Sequence, residues 1–252
     1  MAKLSLLDMV QDILSDMNDD EVSSISDTLE SLQVAQIIKS TYFEIIDSKT
    51  WPHLRKLFEL EASSDSEKPT HMGIPENCRE VEFVQYNKKK LDSTRDYFEV
   101  ISYVTPDEFL RRTSLYDNTL DYVDRVVDYS GVSILIKNDR HPEFWTSFDD
   151  ETIVFNSYDS TVDTTLKQSS TRVSGYIDPV WSMSDSFVPD LPSEMFSYLL
   201  AEAKSTAMLR LKQAPDQKAE QQSIRQRHKM SRDSRKQAGG IRLPDYARRS
   251  RK

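Results

Sequence analysis

The sequence predicts an α+β protein in which a helical bundle from N- and C-terminal helix pairs carries an inserted β-sandwich or barrel-like module, followed by an extended C-terminal tail. Three observations predict this. Apolar residues recur at steps of three and four near both ends of the chain, the spacing of amphipathic helices. From Trp51 the rhythm changes to partial alternation, rich in aromatic and β-branched residues, as half-buried strands require. Charge then divides the chain: residues 204–252 hold 15 Lys/Arg against 4 Asp/Glu, although the whole is acidic at −9. The predicted domains are residues 1–50, 51–180, 181–238 (packing with 1–50) and 239–252.

Taken in order, Leu4, Leu7, Val10, Leu14 and Met17 form one stripe of a first helix. "SSISD" reads as a capping box, Ser24 as N-cap and Asp27 three residues on, opening a second helix that runs to about Ser48. A short polar loop between them predicts an antiparallel pair. The segments "HLRKLFELEA", "CREVEFVQYNKK" and "DYFEVISYV" read as strands, and "ASSDSEKPTHMG" as an exposed loop. "PDEFLRRTS" opens with Pro106 and two acids, the start of a short helix. "GVSILIKN", "PEFWTSF", "TIVFNSY" and "TLKQSSTRVSGYI" complete the strands, with Asp149-Asp150 turning a hairpin. Pro179, Pro189 and Pro192 punctuate a loop. A helix about 30 Å long follows, with Phe196, Leu199, Leu200, Ala203, Ala207 and Leu211 on one face. Pro215 breaks it and starts a last helix to about Gln237, whose apolar residues are Ala219, Ile224 and Met230. Gly239-Gly240 ends that helix.

The hydrophobic fraction is 37% and the charged fraction 30%, a composition of thin modules with wet surfaces. One cysteine, Cys78, excludes an internal disulfide framework and a multi-Cys zinc site. Asp8 and Asp12 interrupt the N-terminus, which is unlike a signal peptide, and no apolar run is long enough to span a membrane.

Motifs for catalysis are missing: with 5 glycines there is no phosphate loop, and no nucleophile elbow or His-rich metal spacing. His53, His71, His141 and His228 are scattered and read as surface or structural. Asp16, Asn18 and Asp20 match the start of a calcium loop. Glu21, however, replaces its glycine and Asp27 its final bidentate Glu. The acids of "FDDET" and "YDS" fall at a turn and a strand end, ordinary turn chemistry. Trp51, Trp145 and Trp181 read as core or seam fillers. The expectation is no enzyme, no cofactor and no metal.

The basic tail admits several partners. Nucleic-acid binding calls for aromatics interleaved with cations, and the tail has one, Tyr246. A body of net −20 before residue 204 repels a polyanion. Membrane binding calls for an apolar helix face that residues 216–237 lack. A solubilising tail is the plain alternative. "GGIRLPDYARRSRK" mixes apolar anchors with arginines and a rigid proline, as a peptide docking on an acidic protein groove does. Its candidate docking residues are Ile241, Arg242, Leu243, Pro244, Tyr246, Arg248 and Arg249, with Gly239 and Gly240 as the hinge.

The series "TIVFNSYDSTVDTTLKQSSTRVSGYI", then "LPSEMFSYLLAEAKSTAMLRLKQAPDQKAEQQSIRQRHKMSRDSRKQ", together with the early "KTWPHLRK", resembles the head-to-tail adaptor proteins of short-tailed bacteriophages, the tail tubular protein A family. The resemblance covers most of the chain and implies a structural virion protein of the phage neck. In that family a dodecameric homo-oligomer ring sits below the portal protein, and its β module meets the tail nozzle protein. Genomic DNA only passes through the channel, and no membrane is involved. It further implies that residues 239–252 reach toward the portal. The alternative from another class is a nucleic-acid-associated protein that uses the basic tail on DNA or RNA.

Overall fold

The computed structural model describes residues 3–63, 65–89, 94–234, 237–238 and 241–242. The chain is α+β and divides into two compact units, Met1–Arg55 with Pro179–Lys252, and Lys56–Asp178.

The first unit contains α1 (Leu6–Asp16), α2 (Leu29–Asp47), α4 (Phe196–Leu211) and α5 (Gln217–Ser234). Ser5 caps α1 reciprocally: its hydroxyl accepts from the Asp8 N–H, and the Asp8 carboxylate accepts from the Ser5 N–H. Leu6, Met9, Val10, Ile13 and Leu14 are buried along α1. The capping box of α2 is Thr28 with Ser31, four residues beyond the Ser24–Asp27 pair expected to fill that role. Asp27 does accept the Ser24 N–H, but it also accepts the N–H and hydroxyl of Ser23, closing a tight turn ahead of the helix. The connection between α1 and α2 is a packed segment, contrary to the polar loop expected. Val22 and Ile25 are buried, Gln11 donates to the Val22 carbonyl, and Asp185 holds both the Leu7 and Ile25 N–H groups. Thus α2 starts beside the N-terminal end of α1, which a tight antiparallel hairpin would not allow.

The proline-punctuated segment before α4 is also part of this unit. Its Phe187 carbonyl accepts the Leu6 N–H at 2.7 Å, and Trp181 stacks on Tyr42 and Phe187 at 5.1 and 4.8 Å between ring centroids. Trp51 is buried and donates its indole N–H to the Ile45 carbonyl. Helix α4 lies against α2 and α5 and also touches α1. Phe196, Leu199, Ala203 and Ala207 are fully buried on it, whereas Leu200 and Leu211 are half-buried. Asp216 opens α5 by accepting the Lys218 and Ala219 N–H groups. The helix stops at Ser234, short of the expected Gln237.

The second unit is built on one eight-stranded sheet, strongly curled into a half-barrel. Its strands are β1 (Arg55–Phe58), β2 (Glu61–Ala62), β3 (His71–Gly73), β4 (Cys78–Asn87), β5 (Phe98–Tyr103), β8 (Phe144–Ser147), β9 (Thr152–Phe155) and β10 (Thr171–Ile177). They run in the order β1-β10-β4-β5-β8-β9-β3-β2. The β5–β8 pair is parallel and the crossover holds α3 (Pro106–Thr113) and a separate antiparallel hairpin, β6 (Val123–Val127) with β7 (Ser133–Lys137). Proline at the first turn of α3 and the Thr105 hydroxyl on the Glu108 N–H set where it begins. One core joins Leu60, Met72, Val84, Ile101, Phe155 and Val173 across the sheet. A second, of Phe109, Val126, Ile134, Ile136, Phe144 and Val154, lies under α3 and the hairpin.

Two strands escape the sequence pattern. β3 falls in the stretch read as an exposed loop, yet Thr70, His71 and Met72 are buried. Polar residues there carry no apolar alternation. In β6 the buried valines, Val123 and Val126, are three apart, a spacing that hides a period of two.

Candidate functional site

The tail nominated by the sequence is described only in part. Ile241–Arg242 forms a short strand, β12, antiparallel to β11 (Gln237–Ala238), with Ala238 opposite Ile241 and Gln237 opposite Arg242. The helix expected to reach Gln237 therefore gives way to a strand pair there, because residues 237–238 spend their backbone groups on 241–242. Gly239, Gly240, Leu243, Pro244, Tyr246, Arg248 and Arg249 lie outside the described residues.

The helical unit offers the larger surface feature, two grooves flanking the α4–α5 seam. Ala219, Ser223 and Met230 are the buried side chains α5 turns inward, and Ser223 donates to the Glu202 carboxylate across the seam. In the first groove Lys204 bridges Asp16 of α1 and Asp216. Lys212 extends the same tie to Asp19 at 2.6 Å. These cations are spent inside the unit. The second groove, about 490 Å³, is lined by Thr206, Leu209, Arg210, Glu220, Ile224 and Arg227. Leu209 and Ile224 stay 59% and 49% exposed there. Both lie off the buried stripes of their helices, whereas the sequence pattern groups Ile224 with the buried Ala219 and Met230.

In the β unit a cavity of about 240 Å³ is lined by Tyr86, His141, Tyr158, Asp163, Leu166 and Ser170. Burial pushes the Tyr86 phenol up to about 12. Burial, with the hydrogen bond its hydroxyl donates to Asp124, does the same to Tyr158. Burial lowers His141, which stays neutral near pH 7. The lining is thus polar, with Lys89, Asp159 and Asp163 as its charged members.

The other notable group is His71, whose Nε2 meets Asp128 Oδ1. Its Nδ1 is buried with no partner among the described residues. The His71 ring hydrogen-bonds no hydroxyl or thiol side chain among the described residues, and the Ser157 hydroxyl meets His141 at its backbone carbonyl. Among the described residues no group of three or more His, Cys, Asp or Glu side chains is placed to hold a metal ion. Asp16 of the calcium-like segment is engaged with Lys204. No described helix is long and apolar enough to cross a membrane.

Sequence alone located the charged surfaces but not the His71–Asp128 pair, because its members are 57 residues apart in segments without pattern. No family model matches the sequence, and no curated protein matches it.

Proposed function

We propose that this chain is a structural virion protein, an adaptor that forms a ring between the portal and the tail of a short-tailed bacteriophage. One observation carries the reading: a helical unit made from both ends of the chain, with a β unit inserted between them. Such a subunit is held at two covalent points, so a load on the β unit is passed to the helices through both. The four helices of the terminal segments then act as the bundle that packs against neighbouring copies, twelve by the resemblance. The β unit meets the tail nozzle protein, and residues 239–252 dock on the portal. Support comes also from Leu209 and Ile224, apolar side chains that stay 59% and 49% exposed beside Arg210 and Arg227, since apolar and arginine side chains together are enriched where proteins meet. No catalytic step, cofactor or metal is part of the reading, and DNA passes through the channel.

Negative-stain images of the purified protein, alone and with portal and nozzle proteins, test it. Rings alone and neck-like stacks with the partners are expected. A protein that stays monomeric in the presence of both removes the adaptor reading.

One observation favours the second reading, a nucleic-acid-associated protein: Arg225, Arg227 and Lys229 are exposed together on α5. Binding of duplex DNA that weakens steeply between ~50 and ~200 mM salt favours that reading. The acidic remainder of the chain argues for weak binding.

A further inference from the structure

A cavity of about 370 Å³ opens at one end of the β half-barrel, where β4 begins and β5 and β8 end, a size within the range of small-ligand sites. Ile74, Val81 and Trp145 give it apolar walls, and Tyr103 meets the Trp145 ring edge-on at 4.9 Å between centroids. Trp145 is buried and held by the hydrogen bond its indole N–H donates to the Ile101 carbonyl, whereas Tyr103 stays 56% exposed. The charged members of the lining are Arg79, Glu80 and Asp150. Arg79 is already matched, its Nε 2.9 Å from Asp178 Oδ1. Glu80 and Asp150 are not: neither carboxylate has a hydrogen bond or an ion pair among the described residues. The remaining polar groups add no charge. Burial pushes the Cys78 thiol up, and the Ser147 hydroxyl accepts the Asp150 N–H.

We infer that this cavity binds an organic cation, a guanidinium or ammonium group on an aliphatic stem. Each part of the lining selects for it. A cation over the Tyr103 face is attracted by the ring quadrupole. The same group meets Glu80 and Asp150, whose charge Arg79 does not cancel because Asp178 already neutralises it. The stem covers Ile74 and Val81. Elsewhere the chain completes such aromatic sites with its own cations: Lys68 lies over Tyr129, Lys137 over Tyr116 and Arg172 over Phe98. Tyr103 has no cation over it among the described residues, so the one that fits it comes from outside. A metal ion fits less well, because two carboxylates on a rim are too few oxygen ligands for a hard cation. A neutral sugar ring would use the aromatic face but not the charge. The cation is either a basic side chain of a partner protein or a free small molecule, and the same chemistry recognises both. The inference goes beyond the adaptor reading and does not rest on it.

Titration of the isotope-labelled full chain tests this, followed by NMR at the Trp145 indole and the backbone amides of 78–81. The probes are an acetylated and amidated glycine–arginine–glycine peptide, its citrulline counterpart, 1,4-diaminobutane and glucose. At least one of the two cations is expected to saturate these signals below about 10 mM. The citrulline peptide, alike in shape but uncharged, is expected to bind about tenfold more weakly than the arginine peptide or worse. Glu80→Gln combined with Asp150→Asn weakens cation binding by a similar factor, about tenfold. Asparagine at 150 tolerates the left-handed φ of 61° found there, so the turn is kept. Tyr103→Leu preserves an apolar wall without the ring and is expected to weaken binding about threefold. Circular dichroism verifies that each variant folds. A peptide that binds more tightly than the diamine assigns the cation to a basic residue of a partner protein, and the reverse order assigns it to a free small molecule. Either order supports the site. The inference is overturned if neither cation saturates the signals, if arginine and citrulline peptides bind equally, if the double variant binds like wild type, or if glucose alone binds.

Discussion

His71 Nε2 lies 3.0 Å from Asp128 Oδ1, and this contact ties strand β3 to the turn that closes the β6–β7 hairpin. The same aspartate accepts the N–H and hydroxyl of Ser130 through its other oxygen, and Tyr129 meets the His71 ring edge-on at 5.6 Å. Lys68 lies over the Tyr129 ring. Burial is the largest influence on His71 and lowers it below its ordinary value, with Lys68 acting in the same direction. Asp128 and the more distant Asp149 oppose them. Burial alone raises Asp128, but the hydrogen bonds from Ser130 and His71 outweigh it and leave the carboxyl below its usual range.

The pair therefore makes the β unit acid-sensitive. A histidine lowered in the folded state binds its proton more readily when unfolded. Stability is complete above about pH 6.5 and is lost as pH falls through that value toward the folded pKa. Asp128 adds a second loss, in the carboxylate range below about pH 4. Urea unfolding at about pH 7 and about pH 5 is expected to show the first loss in the wild type and a flattened one in His71→Ala. That variant also loses about 2–3 kcal/mol at neutral pH, since Asp128 keeps its burial without its partner. An unchanged midpoint and slope with pH contradict this account.

The start of α2 gives a second prediction. Thr28 and Ser31 satisfy each other's backbone N–H groups at 3.0 and 3.1 Å, so Thr28→Ala is expected to cost about 1 kcal/mol. Ser24→Ala leaves that box intact and keeps its backbone bond to Asp27, and is expected to cost less. Thermal unfolding of the two variants ranks them. A larger loss at Ser24 returns the helix start to the earlier box.

How far the sequence could be read depended on whether a residue's partners were local. The stripe Phe196, Leu199, Ala203 and Ala207 repeats with the helix and was legible. So was β10, whose alternation survives until the register shifts between Ser174 and Gly175. The α2 cap was misplaced because two Ser/Thr–acid or Ser/Thr–Ser pairs of the same spacing lie four residues apart, and only packing of Val22 and Ile25 decides between them. Strand β3 was invisible because Thr70 and His71 are buried by segments far along the chain. Of the candidate surfaces, the charge split was plain in composition, whereas the cavity beside Trp145 joins residues of β4, β5 and β8 that only the sheet order brings together.

Neighbouring leucines on α4 give a third prediction. Leu199 is fully buried within the helical unit, while Leu200 is half-buried at the groove beside Lys204. Leu199→Asp places an unpaired carboxylate among apolar neighbours and is expected to unfold the helical unit. Leu200→Asp reaches water and the Lys204 ammonium, so it is expected to cost about 1–2 kcal/mol at most, mainly from lost apolar burial. Circular dichroism melts of both variants test the difference, and equal losses count against the assigned face of α4.

Gly175 supports the last prediction. It sits in β10 where the pairing with β4 shifts register, after Ser174 opposite Phe83 and opposite Val81 itself. The shift bends β10 toward its neighbour, so the backbones approach more closely than a side chain permits. A Cβ on Gly175 would lie 2.4 Å from the Glu80 carbonyl oxygen and 3.2 Å from the Phe58 ring. The ring can swing aside. The carbonyl belongs to the backbone of β4, and moving it disturbs the pairs on either side. Gly175→Ala is therefore expected to destabilise the β unit by about 1–3 kcal/mol, the usual cost of overpacking. Gly131 is the contrasting case: its Cβ meets nothing within 4 Å but its φ of +81° strains any side chain. Gly131→Ala is expected to cost about 1 kcal/mol from backbone strain alone, and unlike Gly175→Ala to leave the amide exchange of β4 unchanged. Hydrogen exchange separates the two, because steric pressure on Glu80 speeds exchange along β4 and local strain in the hairpin turn does not. Protection of β4 that is identical in wild type and Gly175→Ala overturns the steric account.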